Sequence, residues 1–75
     1  MQRVGTVSKT AQNLAIIHCD GEDHPDIGTS VVDESLSRVG RVVDVFGPVS
    51  QPYVAVATDS GVLLTDLLGQ KLYAR

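Results

Sequence analysis

Short valine-rich runs recur along this chain about every ten residues, each closed by glycine, asparagine, aspartate, serine or proline. That rhythm leaves few folds open. Twelve of the 75 residues are valine and none is tryptophan. Valine is stiff at χ1 and packs well on a pleated surface, so such runs read as strands. They are Val4-Gly5-Thr6-Val7, Leu14 to His18, Ile27 to Val32, Val39 to Phe46, Tyr53 to Ala57, and Leu72-Tyr73. Val62-Leu63-Leu64 reads as a further strand or as the lead into one helical turn over Thr65 to Leu68. Gly40, inside the strongest run, marks a bulge or a close approach of another backbone. A tiny open sheet has edges it cannot protect, and closure removes them. The pattern therefore predicts one all-β domain over residues 1–75, a small closed six-stranded barrel. A chain of this length buries only about 60–65% of the surface it exposes when unfolded, so each interior position matters.

Charge narrows the range of partners. Nine acidic residues against six basic ones give a net charge of −3. The basic residues Arg3, Lys9, Arg38, Arg41, Lys71 and Arg75 are scattered, and the interval from Lys9 to Arg38 holds Asp20, Glu22, Asp23, Asp26, Asp33 and Glu34. Nucleic-acid binders neutralise phosphates with a basic stripe. Direct, tight RNA or DNA binding by this chain alone is therefore not expected, whereas a protein partner with a basic surface is. The single cysteine, Cys19, permits neither an intrachain disulfide nor a thiolate zinc set. No apolar run reaches the roughly 18 residues of a membrane span, and the start, MQRVGTVSKT, has no signal-peptide core. These features predict a soluble protein of a reducing cell interior.

Chemistry-bearing residues are few. His18-Cys19-Asp20-Gly21-Glu22-Asp23-His24 is the one cluster rich in metal-capable groups. His18 and Cys19 are strand neighbours and point to opposite faces, so only His18, His24 and a carboxylate are left to converge. Zinc asks for four convergent ligands, and the acidic spacing does not match a calcium loop. A solvated acidic hairpin loop with Cys19 as a small, partly buried hydrophobe is the simpler reading. The chain has no glycine-flanked serine elbow, GxGxxG motif or P-loop. Asp44, in Val42-Val43-Asp44-Val45, reads as a solvent-facing or arginine-paired carboxylate. Neither catalytic residues, a metal nor a cofactor is expected, and an enzyme built on His18, Asp20 and His24 is kept only as a contrasting possibility.

The remaining feature is Phe46-Gly47-Pro48-Val49-Ser50-Gln51-Pro52-Tyr53. Two prolines stiffen a strand-to-strand crossing and glycine supplies a turn. Local capping of the core by Phe46 and Tyr53 is one account. It leaves Val49 unexplained, because no strand buries it. A rigid loop with an apolar tip loses little entropy on docking, which is the alternative.

The stretch Val39-Gly40-Arg41-Val42-Val43-Asp44-Val45-Phe46-Gly47-Pro48-Val49-Ser50-Gln51-Pro52-Tyr53-Val54-Ala55-Val56 closely resembles the core of the Gar family, small proteins of box H/ACA ribonucleoprotein particles. The family's run is approximately (V/I)GK(V/I)xD(V/I)FGPVxxPYxxV, with Arg41 here in place of the usual lysine. Ile27 to Asp33 resembles its IGxxVYD segment, with Val32 where an aromatic is common, and Leu68 to Tyr73 resembles its closing GxxLY segment. The likeness runs from about Val4 to Tyr73.

This resemblance implies a six-stranded barrel related to domain two of translation elongation factors. It also implies a non-catalytic subunit that binds the catalytic domain of the H/ACA pseudouridine synthase and aids turnover in rRNA pseudouridylation. The particle's guide and substrate RNA would be met only indirectly. Carried over from the motif, Phe46, Gly47, Pro48, Val49, Pro52 and Tyr53 would form or brace the docking surface, with Pro48 and Val49 as contacts, Gly47 as the turn, and Phe46 and Tyr53 as the barrel-side anchor. The sequence shows no Gly/Arg-rich tail, which suggests the minimal archaeal form in the cytoplasm. A ribosome-maturation barrel of the PRC type, binding a ribosomal protein, shares the VGxVxDVFG run but has no need of the two-proline loop. Val49→Asp is expected to spare the barrel, and Val43→Asp to place a charge in the core.

Overall fold

Alternation along the valine-rich runs closes this chain into a barrel. The computed structural model describes residues 2–75. It has six strands, β1 (Gln2–Ala11), β2 (Leu14–Cys19), β3 (Ser30–Val32), β4 (Arg38–Phe46), β5 (Tyr53–Thr58) and β6 (Lys71–Ala74), and one helical turn, α1 (Leu64–Leu67). Every pairing is antiparallel, and the ring runs β1-β2-β5-β4-β3-β6 before closing on β1. The all-β fold and the closed barrel read from the sequence are both present.

Side chains at alternate positions fill the interior. Val7, Ile17, Val31, Val42, Val54, Val56 and Leu72 are all buried to within about 2% of their surface. Each such burial is worth about 1.5–3 kcal/mol, set against the chain entropy that folding removes. On β2 the interior face is Ala15, Ile17 and Cys19, so Leu14, Ile16 and His18 share the outer one. Gly40 sits where strands converge: an added Cβ would run into the carbonyl oxygen of Ala57.

Two sequence expectations are corrected here. The β4–β5 register slips between Val42 and Asp44, so Val43 is the extra residue of a bulge. An extra residue breaks the period of two. Val42 is 1% exposed and Val43 38%, so Val43→Asp does not bring a charge into the core. The third strand is also shorter than expected. Ile27 to Thr29 form a turn, with Thr29 N–H donating to Asp26 O at 3.1 Å. This segment still follows β4, through Gly28 N–H to Val42 O at 2.8 Å and Val42 N–H to Thr29 O at 2.9 Å.

Two connections cross the barrel ends. Residues 20–29 run from β2 to β3, which lie on opposite walls of the ring, and Pro25 is buried within them. Residues 59–70 run from β5 to β6, also opposite walls, and Leu67 of α1 drops into the core at 5% exposure. Val62 to Leu64 therefore lead into the helical turn and form no strand. Among the described residues no helix is long and apolar enough to cross a membrane.

Candidate docking site

The β4–β5 connection lies at the same barrel end as the crossing segment 20–29. Its turn is closed by Gln51 N–H donating to Pro48 O at 3.2 Å, which puts Val49 and Ser50 at the tip. Val49 is 88% exposed, more than any other large hydrophobic residue described. The base of the loop is tied to β2 by Cys19 N–H donating to Pro52 O at 3.1 Å, and Pro52 is buried. Gly47 has φ of 91°, a left-handed conformation in which side chains are strained. A Cβ there would also lie 2.8 Å from Cδ2 of Tyr53. Glycine is thus required twice, for the backbone turn and for the ring beside it.

Register builds the support under this loop. His18 on β2 is opposite Tyr53 on β5, and Tyr53 is opposite Phe46 on β4. The three rings form a near-parallel ladder on the outer face: His18 and Tyr53 are 5.0 Å apart at 26°, Phe46 and Tyr53 5.6 Å apart at 18°. Aromatic pairs of this kind add about 0.5–1.5 kcal/mol beyond area burial. Phe46 remains 42% exposed. Beside it opens a hollow of about 200 Å³, walled by Phe46, Pro48, Val49 and Pro52 on one side and by Glu22 and His24 of the crossing segment on the other.

The six residues singled out from the motif therefore divide. Phe46, Gly47, Pro48 and Val49 are exposed; Tyr53 is half-buried, and Pro52 is buried and acts as a brace. Sequence reasoning did not attach His18, Glu22 or His24 to this surface. They reach it through cross-strand pairing and the path of a loop more than 20 residues upstream, for which the sequence gives no local signal.

The cluster from His18 to His24 disperses. His18 joins the ring ladder, Cys19 points into the core, Asp20 pairs with Arg3 at 2.8 Å, and His24 Nδ1 lies 3.0 Å from Pro25 O. Among the described residues no group of three or more His, Cys, Asp or Glu is placed to hold a metal. Burial pushes the Cys19 thiol above its ordinary range, and the neighbouring Asp20 charge adds to that, so it is a poor nucleophile. Asp44 is exposed, and its carboxylate accepts Val45 N–H at 2.8 Å. The site offers shape and apolar surface, with Glu22 and His24 on its rim.

Comparison with known proteins bears on this surface. A family model described as the Gar1/Naf1 RNA binding region matches residues 1–75. A solved structure of the Gar1 domain of Naf1 is similar, with a TM-score of 0.77 over 97% of this chain and 79% of that one, at 23% identity, a likeness that speaks to the fold. No curated protein matches the chain at a significant level.

Proposed function

Because the chain belongs to the Gar1/Naf1 family, whose model spans it from end to end, we propose that it is a non-catalytic subunit of an H/ACA ribonucleoprotein. In this reading it docks through Phe46 to Tyr53 on the catalytic domain of the RNA-guided pseudouridine synthase and promotes substrate turnover. The observation that carries it is Val49, 88% exposed at the tip of a loop held by two prolines, a left-handed glycine and a ladder of three rings. Such a tip is ordered before it meets a partner, so docking has little rotamer and loop freedom left to remove.

A subunit of this kind acts by binding one conformation of its partner better than another, since only a differential affinity shifts a population. That role needs a shaped contact and no titratable group. Glu22, the one acidic residue lining the hollow, fits a partner with lysine or arginine beside an apolar socket, a match that steers encounter. The family match favours this reading over the ribosome-maturation alternative.

The test is an NMR titration of the labelled chain with the synthase. Shifts centred on Phe46 to Tyr53, His18 and Glu22 to His24 are expected. Shifts confined to another wall, or no binding at all, would reject the docking assignment.

A further inference from the structure

The basic residues that are scattered in sequence are gathered by the fold onto one wall. On β6, Leu72 and Ala74 point into the core, so Lys71, Tyr73 and Arg75 share the outer face at alternate positions. Neighbouring strands extend the patch. Arg3 of β1 is opposite Tyr73. Arg75 N–H donates to Ser30 O of β3 at 3.0 Å, and Ser30 is opposite Arg41 of β4. Arg38 reaches back to Ser30 Oγ at 3.4 Å. Five of the six basic residues thus lie across β1, β6, β3 and β4, with Lys9 further along β1. Two of the five are engaged, Arg3 by Asp20 at 2.8 Å and Arg38 by Asp59 at 2.6 Å. Among the described residues Arg41, Lys71 and Arg75 form no salt bridge. Glu34 bounds the patch beyond Lys71, where the two help to line a hollow of about 270 Å³.

From this arrangement we propose that the β6 wall is a contact site for single-stranded RNA, with Tyr73 stacking a base and Arg41, Lys71 and Arg75 holding phosphates. Tyr73 is half-buried and, unlike Tyr53, has no ring partner among the described residues. An aromatic face between cations on a sheet is the usual platform for single strands, because every base has a π-face and every nucleotide a phosphate. Lys71 and Arg75 are about 13 Å apart at ~3.4 Å per strand residue, a length that spans about four stacked nucleotides at ~3.4 Å each. An acidic protein segment would satisfy the cations but not the ring, and the matched family is described as an RNA binding region. The wall is separate from the docking loop, so this site stands independently of the synthase reading. It also revises the expectation from composition: a net charge of −3 argues against tight binding but leaves a weak, salt-sensitive contact.

The experiment is a titration of the labelled chain with a short oligouridylate at low salt, repeated as salt is raised. Amide shifts are expected at Ser30, Arg41 and Lys71 to Arg75, with none at Gly47 to Gln51. Three phosphate contacts give a log–log salt slope of about −2 for a single strand. The double variant Arg41→Glu/Arg75→Glu removes binding and leaves synthase binding intact. Tyr73→Leu keeps apolar bulk but loses the stack, weakening binding about tenfold. Asp59→Asn releases Arg38, strengthens binding and steepens the slope by about 0.7. No shifts on this wall at low salt, shifts centred on the docking loop, or binding unchanged by the double charge reversal would overturn the assignment. Oligoglutamate competing as well as the RNA would overturn it too, and give the patch to an acidic protein.

Discussion

Tyr53 and Tyr73 both face outward, from β5 and β6, strands three places apart in a ring of six and so on opposite walls. Tyr53 lies between Phe46 and His18, beneath an apolar tip and beside an acidic loop. Tyr73 lies between Lys71 and Arg75, opposite Arg3. The residue type and strand alternation are the same, yet the surfaces differ in chemistry. The difference teaches that in a small barrel the chemistry around a ring is set by its own strand together with the two flanking ones: Lys71 and Arg75 come from the β6 segment itself, while β1 brings Arg3 and β3 the buried Val32. Closure fixes those neighbours, and each wall can change without disturbing the other as long as the interior is kept.

The most severe way to break the comparison is to remove the interior both walls share. Val42→Asp buries an unpaired charge and is expected to cost about 4 kcal/mol or more, enough to unfold a domain holding ~4–11 kcal/mol. Val43→Asp, one residue on but facing outward as the extra residue of the bulge, is expected to cost within about 1 kcal/mol. Urea unfolding followed by circular dichroism separates them, and equal losses would contradict the bulge.

Val49→Asp attacks one wall only. Synthase affinity should fall by about 2 kcal/mol or more, roughly thirtyfold, as for a central interface residue. The melting temperature should move by no more than about 4 °C, and oligouridylate binding should not change. A melting temperature that collapsed would make the loop part of the core. Gly47→Ala sharpens the same wall from beneath. It forces a side chain into a left-handed conformation against the Tyr53 ring, at about 1–3 kcal/mol. Ring-current shifts of Phe46 and His18 should move while those near Tyr73 stay.

The smallest effect belongs to Cys19, under the docking wall. Its thiol stays protonated in the folded chain to higher pH than in the unfolded one. Above the ordinary thiol range, about 8.5, the unfolded state releases a proton that the folded state keeps, so stability should fall as pH rises. Comparing urea midpoints of the wild type and Cys19→Ala from neutral to alkaline pH isolates this slope; identical slopes would remove the thiol from the account.

The strands were legible because valine alternation has a period of two, and the barrel because so short a sheet cannot leave edges. The exposed, rigid loop tip was legible because Pro48, Pro52 and Gly47 mark a tight turn and Val49 has nowhere to be buried. What escaped needed pairing across distance. Val43 was misplaced because a bulge adds one residue and shifts every later position, with no fixed residue signature. His18 joins Tyr53 across 34 intervening residues, and Ser30, paired with Arg41 in the β3–β4 hairpin, meets Arg75 only when β6 joins β3. Charges scattered along the sequence are regathered for the same reason, since a closed sheet brings residues from both chain halves onto one face.

The order of the ring also carries a consequence in time. β6 pairs with both β1 and β3, joining the first strand to the middle of the chain. Until β6 docks, the other five strands can form at most an open sheet, with β1 and β3 as exposed edges. That form of the chain is the one most prone to recruit a foreign strand. The seam that ends this exposure is the segment bearing Lys71 and Tyr73, so the basic wall is completed in the same step that seals the barrel.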